Sequence, residues 1–384
     1  MKIIATTLQG LEPVLAQELE DLFLSNIKIG LRAVECEGNW SQLYKCNYQL
    51  RTAIRVLMHL DEFEILEQKD LYDALRTIDW SKYIKAKNTI AIKGSFSGEL
   101  FHNTHYALLL AKDAIVDQLR EDKGFRPSVN IKNPDILINL RITGNKLSLA
   151  LDTSGQSLHL RNYRYRSYKA PLNEVLAAGL IKLSGWDLKT PFRDVMCGSG
   201  TFITEALMLA ANIPSGQFVY RFGFEKWPEF HKEIWLKIKA SGTEAIHEPE
   251  VEIIGSDINP YAVRDVKKNL QKLKFNKSVR LFEKDFFETS ADRSMHLITN
   301  PPYDVRIEVE NILDFYKHIG DHLKSQYQGS EAWIFTGSLD AMKSFGLHAS
   351  KKYTLDNGGI ESKLYKFELY KGSKKSKYKS TEEE

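Results

Sequence analysis

From about residue 170 onward the chain repeats one pattern: a short apolar run, a polar or acidic residue at its end, then a stretch of helical periodicity. The runs are 194–196, 251–257, 279–286, 295–298 and 331–336, with helices expected over 201–211, 259–273 and 309–326. Short apolar runs alternating with amphipathic helices assemble into a mostly parallel sheet covered on both faces. Two further runs, 351–355 and 363–370, flank Asn357-Gly358-Gly359, a hairpin turn. The expectation is a seven-stranded α/β sheet whose last strand is antiparallel. Sheets of this kind bind ligands at the carboxyl ends of their strands.

The first half has a different rhythm. A strand at 2–7, Gly10, a helix over 11–22, a strand at 33–36 and a helix over 40–50 make a small α+β part, 1–46. A second part, 47–155, carries a strand at 89–96, a helix over 104–120 and a hairpin of 136–142 with 146–151 around Thr143-Gly144-Asn145. With 384 residues, 43% of them hydrophobic, the chain can bury two or three cores. No run of about 18 apolar residues suggests a membrane span, and Met1–Ala5 is followed by polar residues too soon for a secretory signal. Cys36, Cys46 and Cys197 lack metal-ligand spacing, so no metal is expected, and an odd set of thiols fits the cytoplasm. A net charge of +3 leaves nucleic-acid binding to local patches. One is the basic-aromatic linker 156–169, with Arg161, Arg164, Arg166 and Lys169 as candidate RNA contacts. Another is the lysine-rich tail 372–384, expected to be disordered.

Four strand ends carry the candidate chemistry of the domain at 170–371. Asn300-Pro301-Pro302-Tyr303 follows the run Met295–Ile298. Two prolines lock the backbone there, presenting the Asn300 side chain and the Pro301 carbonyl as fixed acceptors beside the Tyr303 ring. That suits a planar group with an exocyclic amine, such as a nucleobase, although a simple turn has the same composition. Gly198-Ser199-Gly200 follows the first strand, and glycines there let the backbone approach a ligand. Dinucleotide binding competes as a reading, but Gly-X-Gly-X-X-Gly is not completed, since position 203 is Ile. Asp257 and Asp285 end the next two strands, suited to ribose hydroxyls and an adenine amine, with Phe286 beside the ring.

Arg193–Thr201 resembles the cofactor loop of S-adenosylmethionine-dependent methyltransferases, and Asn300–Tyr303 is similar to the catalytic motif of those that methylate exocyclic amines. Lys112–Asp117, Arg126–Val129 and Leu151–Gly155 are similar to THUMP sequences. From Met1 to about Lys371 the chain resembles bacterial THUMP-domain RNA guanine-N2 methyltransferases, most specifically the first half of those acting on 23S ribosomal RNA. The resemblance implies a ferredoxin-like part and a THUMP domain that docks RNA, ahead of a Rossmann-like methyltransferase domain. S-adenosyl-L-methionine would lie against Asp194, Cys197, Gly198, Ser199, Gly200, Asp257, Asp285 and Phe286, with Asn300, Pro301 and Tyr303 catalytic. Cys197 sits in the cofactor loop rather than at the catalytic strand end, which argues against a covalent nucleophile. Asp304-Val305-Arg306 departs from the continuation usual in relatives, so a transfer RNA guanine or an adenine-N6 substrate stays open. A ribosome-assembly RNA-binding protein with a vestigial site is the non-enzymatic alternative. The aromatics of the insertion at 214–249 are expected to pack on the sheet edge.

Overall fold

The computed structural model describes residues 1–165, 171–302 and 312–370. The chain divides into two compact units: Met1–Thr7, Leu15–Leu160 and Ser215–Ser241 form the first, and Leu8–Val14, Arg161–Pro214 and the chain from Gly242 onward form the second.

The first unit is built on one eight-stranded sheet. Its strands are β1 (Lys2–Thr6), β2 (Ser25–Gly30), β3 (Ala33–Glu37), β4 (Arg55–Glu64), β5 (Thr89–Ser97), β6 (Ser128–Val129), β7 (Ile136–Thr143) and β8 (Lys146–Asp152), in the order β2-β3-β1-β4-β8-β7-β5-β6. Helices α1 (Glu12–Asp21), α2 (Trp40–Gln49), α3 (Gln68–Arg76) and α4 (Thr104–Lys123) accompany it. Strand β4 pairs antiparallel with β1 (Ile3 opposite Met58) and with β8 (Leu57 opposite Asp152). The parts that the sequence separates at 46/47 therefore share a single sheet.

Local chemistry sets the helix and turn boundaries. Asn39 and Gln42 form a capping box that starts α2, each side chain accepting from the other's backbone N–H. Gly124, at φ 72°, ends α4, and Gly144, at φ 58°, turns the β7–β8 hairpin.

In the second unit the strands are β9 (Phe192–Asp194), β10 (Ile253–Asp257), β11 (Val279–Glu283), β12 (His296–Thr299), β13 (Glu331–Thr336), β14 (Lys351–Asn357) and β15 (Ile360–Glu368). Their order is β11-β10-β9-β12-β13-β15-β14, parallel from β11 to β13, with β15 antiparallel to both of its neighbours. Helices α5 (Glu174–Ser184) and α6 (Thr201–Ala210) come first. After α6 the chain departs: Ser215–Ser241, carrying most of α7 (Lys232–Glu244), belongs to the first unit. This corrects one expectation, that the aromatics of the insertion pack on the edge of the second unit's sheet. Phe222, Phe224 and Trp235 instead pack on α2, with the Tyr44 and Phe224 rings stacked at 4.2 Å and Tyr48 edge-on to Trp235 at 5.4 Å.

The chain then returns through α8 (Pro260–Leu270) and α9 (Ile312–Gln326). Val195, Phe286, Leu297, Ile334, Tyr316, Ile319 and Leu323 form the core between α9 and the sheet. Successive strands lie on one side of β9 as far as β11, then resume on its other side with β12, which places a topological switch point at the end of β9. The first strand sits two residues earlier than the periodicity suggests, so Val195 and Met196 already belong to the loop. After β13 the chain makes a short 3-10 turn, Ala341–Ser344. Among the described residues no helix is long and apolar enough to cross a membrane.

Candidate active site

Three strand ends meet at the switch point. Asp194 closes β9 with its side chain buried, and burial pushes its carboxyl up to about 7. The nearby Asp257 charge adds to that rise, while the Thr299 side chain and the Met196 amide oppose it.

The two loop glycines do different work. Gly198 (φ 51°) and Gly200 (φ 77°) both occupy the left-handed region. Among the described residues, chain neighbours aside, a Cβ on Gly198 would meet nothing within 4 Å, so that side of the loop is open to them. A Cβ on Gly200 would lie 2.6 Å from both γ carbons of Val266, so this glycine serves the contact of α6 with α8.

Asp257, at the end of β10, is oriented by two amides: Gly198 N–H donates to Oδ2 at 2.8 Å and Asn259 N–H to Oδ1 at 2.9 Å. A carboxylate has about four acceptor positions, so it retains capacity for a pair of hydroxyls. Asp285 accepts from Phe287 N–H at 3.0 Å and caps a short turn. Phe286 is a core residue, 3% exposed, its ring 4.7 Å from His322 and 6.0 Å from Tyr327. The ring expected beside an adenine is therefore packed inward, and Phe287, 37% exposed, is the one solvent reaches. Cys197 is a buried free thiol whose pKa is raised well above the ordinary range by burial and by Asp194 and Asp257, which favours the neutral thiol over a thiolate.

At the end of β12, Asn300 Oδ1 is buried and has no hydrogen-bond partner among the described residues. An unmet buried acceptor costs about 1–3 kcal/mol. The fold holds this oxygen in place against that cost. Pro301, directly after it, is buried. Tyr303 and the departure at 304–306 lie outside the described residues, as do Arg166, Lys169 and the tail from 371.

Arg161 and Arg164, expected to face RNA, do neither. Arg161 is 1% exposed and pairs with buried Glu205 of α6 at 3.6 Å. Arg164 donates to Glu174, to Ser199 Oγ at 3.2 Å and to Thr201 Oγ1 at 2.8 Å. Ser199 accordingly turns its hydroxyl toward Arg164. The expected Asn173 cap forms, accepting from the Val175 and Leu176 amides. Sequence reasoning missed Glu174, Asn269 and Thr299. Asn269 carries a readable signal: it occupies the apolar stripe of α8 with Ala262, Val266 and Leu270, and a polar residue there needs a buried partner.

The strand order, the glycine loop after the central strand and the carboxylate on the next one define a methyltransferase domain that uses S-adenosyl-L-methionine. Its open Gly198 face and the spare acceptor capacity of Asp257 fit an adenosine-bearing cofactor. The RMKL-like methyltransferase-domain family matches residues 161–366, the RlmL ferredoxin-like domain residues 2–57 and the THUMP domain residues 67–152. A Synechocystis protein, provisionally named an RNA methyltransferase, is 36% identical over 95% of this chain and 96% of its own length. The ribosomal RNA large subunit methyltransferase K/L of Cellvibrio japonicus is 34% identical over 94% of this chain, which spans only 50% of that relative. The solved structure of SMU.472, provisionally named a methyltransferase and complexed with SAH, superposes with a TM-score of 0.88 at 27% identity over 97% of this chain and 99% of its own. A possible methylase from Clostridium difficile 630 has the same TM-score at 28% identity, covering 97% of this chain and 99% of its own. The chain belongs to the RMKL-like family of S-adenosylmethionine-dependent methyltransferases.

Proposed function

We propose that this enzyme methylates the exocyclic N2 amine of a guanine in large-subunit (23S) ribosomal RNA. The observation that carries the reading is the buried Asn300 Oδ1 at the end of β12, unpartnered among the described residues, on the sheet whose neighbouring strand ends carry Asp194, Gly198 and Asp257. The K/L relatives are named for large-subunit ribosomal RNA, and this chain spans about half their length.

When bound, adenosylmethionine supplies a methyl group made electrophilic by its sulfonium. The protein would hold it through the Gly198 face and the Asp257 carboxylate, with Asp285 toward the adenine edge. The guanine N2 amine is a poor nucleophile because its lone pair is conjugated into the ring. Asn300 Oδ1 and the Pro301 carbonyl accept its two hydrogens, drawing the nitrogen toward tetrahedral geometry and stabilising the positive charge that develops on it. Tyr303 stacks on the base, which must be unpaired or flipped out. Alignment contributes the rest, and the product proton leaves to water without a dedicated base.

The test incubates the full chain with labelled adenosylmethionine and deproteinised large-subunit ribosomal RNA or transfer RNA, followed by nucleoside digestion. N2-methylguanosine from the ribosomal RNA is the expected product. Label recovered as N6-methyladenosine, or only from transfer RNA, overturns the assignment.

A further inference from the structure

Arg164 belongs by composition to a basic-aromatic segment, yet its side chain is only 14% exposed and its donors are committed inside the second unit. Nε donates to Glu174, Nη1 to Ser199 Oγ, and Nη2 to both Thr201 Oγ1 and the Leu172 carbonyl. That engages four of the five N–H groups of a guanidinium. The acceptors come from two places: Leu172 and Glu174, where the chain enters α5, and Ser199 and Thr201, which bracket Gly200 at the start of α6. The next residue repeats the connection. Tyr165 N–H donates to Asn269 Oδ1 at 2.8 Å, and Asn269 Nδ2 donates to the Ser199 carbonyl at 3.2 Å. Ser199 is therefore held through its hydroxyl and its carbonyl at once, on the turn whose other face is open at Gly198.

We propose that Arg164 is a positioning residue for the cofactor site, fixing the Ser199–Thr201 turn against the start of α5, and that adenosylmethionine affinity depends on it while RNA affinity does not. This rests on the methyltransferase reading of the loop. A planar fork is needed because its acceptors lie in several directions, and a lysine ammonium cannot reach them together. Glu174, itself buried, balances the charge where water cannot. With four donors spent on the protein, the group has little left to offer a phosphate.

The experiment compares the full-length wild type with Arg164→Gln and Arg164→Lys. Adenosylmethionine binding is read by calorimetry, large-subunit ribosomal RNA binding by filter retention, and KM against kcat in the transfer assay. Losing several charge-assisted bonds should weaken adenosylmethionine binding about ten- to a hundredfold in Arg164→Gln. KM for the cofactor should rise in parallel, with kcat at saturation and RNA affinity near wild type. Arg164→Lys keeps the charge opposite Glu174 and should fold even if the glutamine variant does not, still showing weakened cofactor binding. Wild-type cofactor affinity in the folded variants, or a loss confined to RNA binding, overturns the positioning role. Failure of the wild type itself to bind adenosylmethionine would instead overturn the functional reading.

Discussion

Substituting alanine at each loop glycine separates packing from ligand approach. Gly200→Ala places a residue with φ 77° in the left-handed region, at about 1–2 kcal/mol. It also sets a methyl carbon 2.6 Å from Val266 Cγ1 and Cγ2, where contact distances of about 3.5–4.0 Å are comfortable. Val266 is fully buried and cannot swing into solvent, so overpacking adds about 1–3 kcal/mol. The expected loss is about 2–5 kcal/mol in all. Pairing the change with Val266→Ala should restore the overlap part alone, giving a coupling of about 1–3 kcal/mol. Gly198→Ala carries the strain of φ 51° but meets nothing within 4 Å among the described residues beyond its chain neighbours, so its stability cost is only about 1–2 kcal/mol. Its methyl projects from the open face of the loop, and adenosylmethionine affinity should fall instead. Urea unfolding, hydrogen–deuterium exchange of α6 and α8, and calorimetry with the cofactor read the three quantities. The reasoning fails if Gly200→Ala unfolds at the wild-type midpoint, if no coupling to Val266 is seen, or if Gly198→Ala binds cofactor unchanged.

Three further outcomes are expected. Asn300→Ala should lower turnover by about 10²–10³ while adenosylmethionine still binds, because only the transition state needs that acceptor; an equal loss of cofactor affinity would contradict the role. Asp194 keeps its proton in the folded protein up to about pH 7, whereas in the unfolded chain it ionises near about 3.9. Its contribution therefore destabilises progressively as pH rises through that window and levels off above it. Asp194→Asn should remove this slope, and a melting-midpoint difference from wild type that stays flat from pH 4 to 7 would refute it. Arg161→Met alone strands the buried Glu205 carboxylate and should cost about 3–5 kcal/mol, while the double variant with Glu205→Leu recovers most of that; equal losses in both would mean that the pairing does not matter.

Features set by neighbouring residues were legible in the sequence. Asn173 and Asn259 cap the helices they precede, the glycine pair at 358 and 359 turns the last hairpin at φ 65° and 90°, and Asn162 takes the left-handed conformation its side chain tolerates, at φ 62°. Features set by distant partners were not. Arg161 and Arg164 look alike whether they face solvent or a carboxylate elsewhere in the chain, and only the fold brings Glu205 and Glu174 to them. The rings of the insertion announced that they would be buried but not against what, because Tyr44 and Tyr48 lie far upstream. Strand β2 escaped notice since nearly all of Ser25–Gly30 is exposed and its alternation is confined to Ile27 and Ile29.

The same limit separates the candidate acceptors at the strand ends. In the sequence, Asp257 and Asn300 are two polar residues at the ends of apolar runs, and Asp194 stands at the start of another. In the fold each is left with a different deficit. Asp257 has amides on both oxygens, which fix its direction and leave lone pairs to spare. Asp194 lies deep at the end of β9, where burial raises its carboxyl pKa to about 7. Asn300 Oδ1 is buried and receives nothing from the described residues. A folded protein tolerates such an atom where something from outside completes it, because satisfying it internally would stabilise the chain and remove the acceptor from use. On the proposed reading the incoming amine meets Asn300 and the cofactor lies beside Asp257, so the partners each acceptor already has fit it to a different part of the reaction.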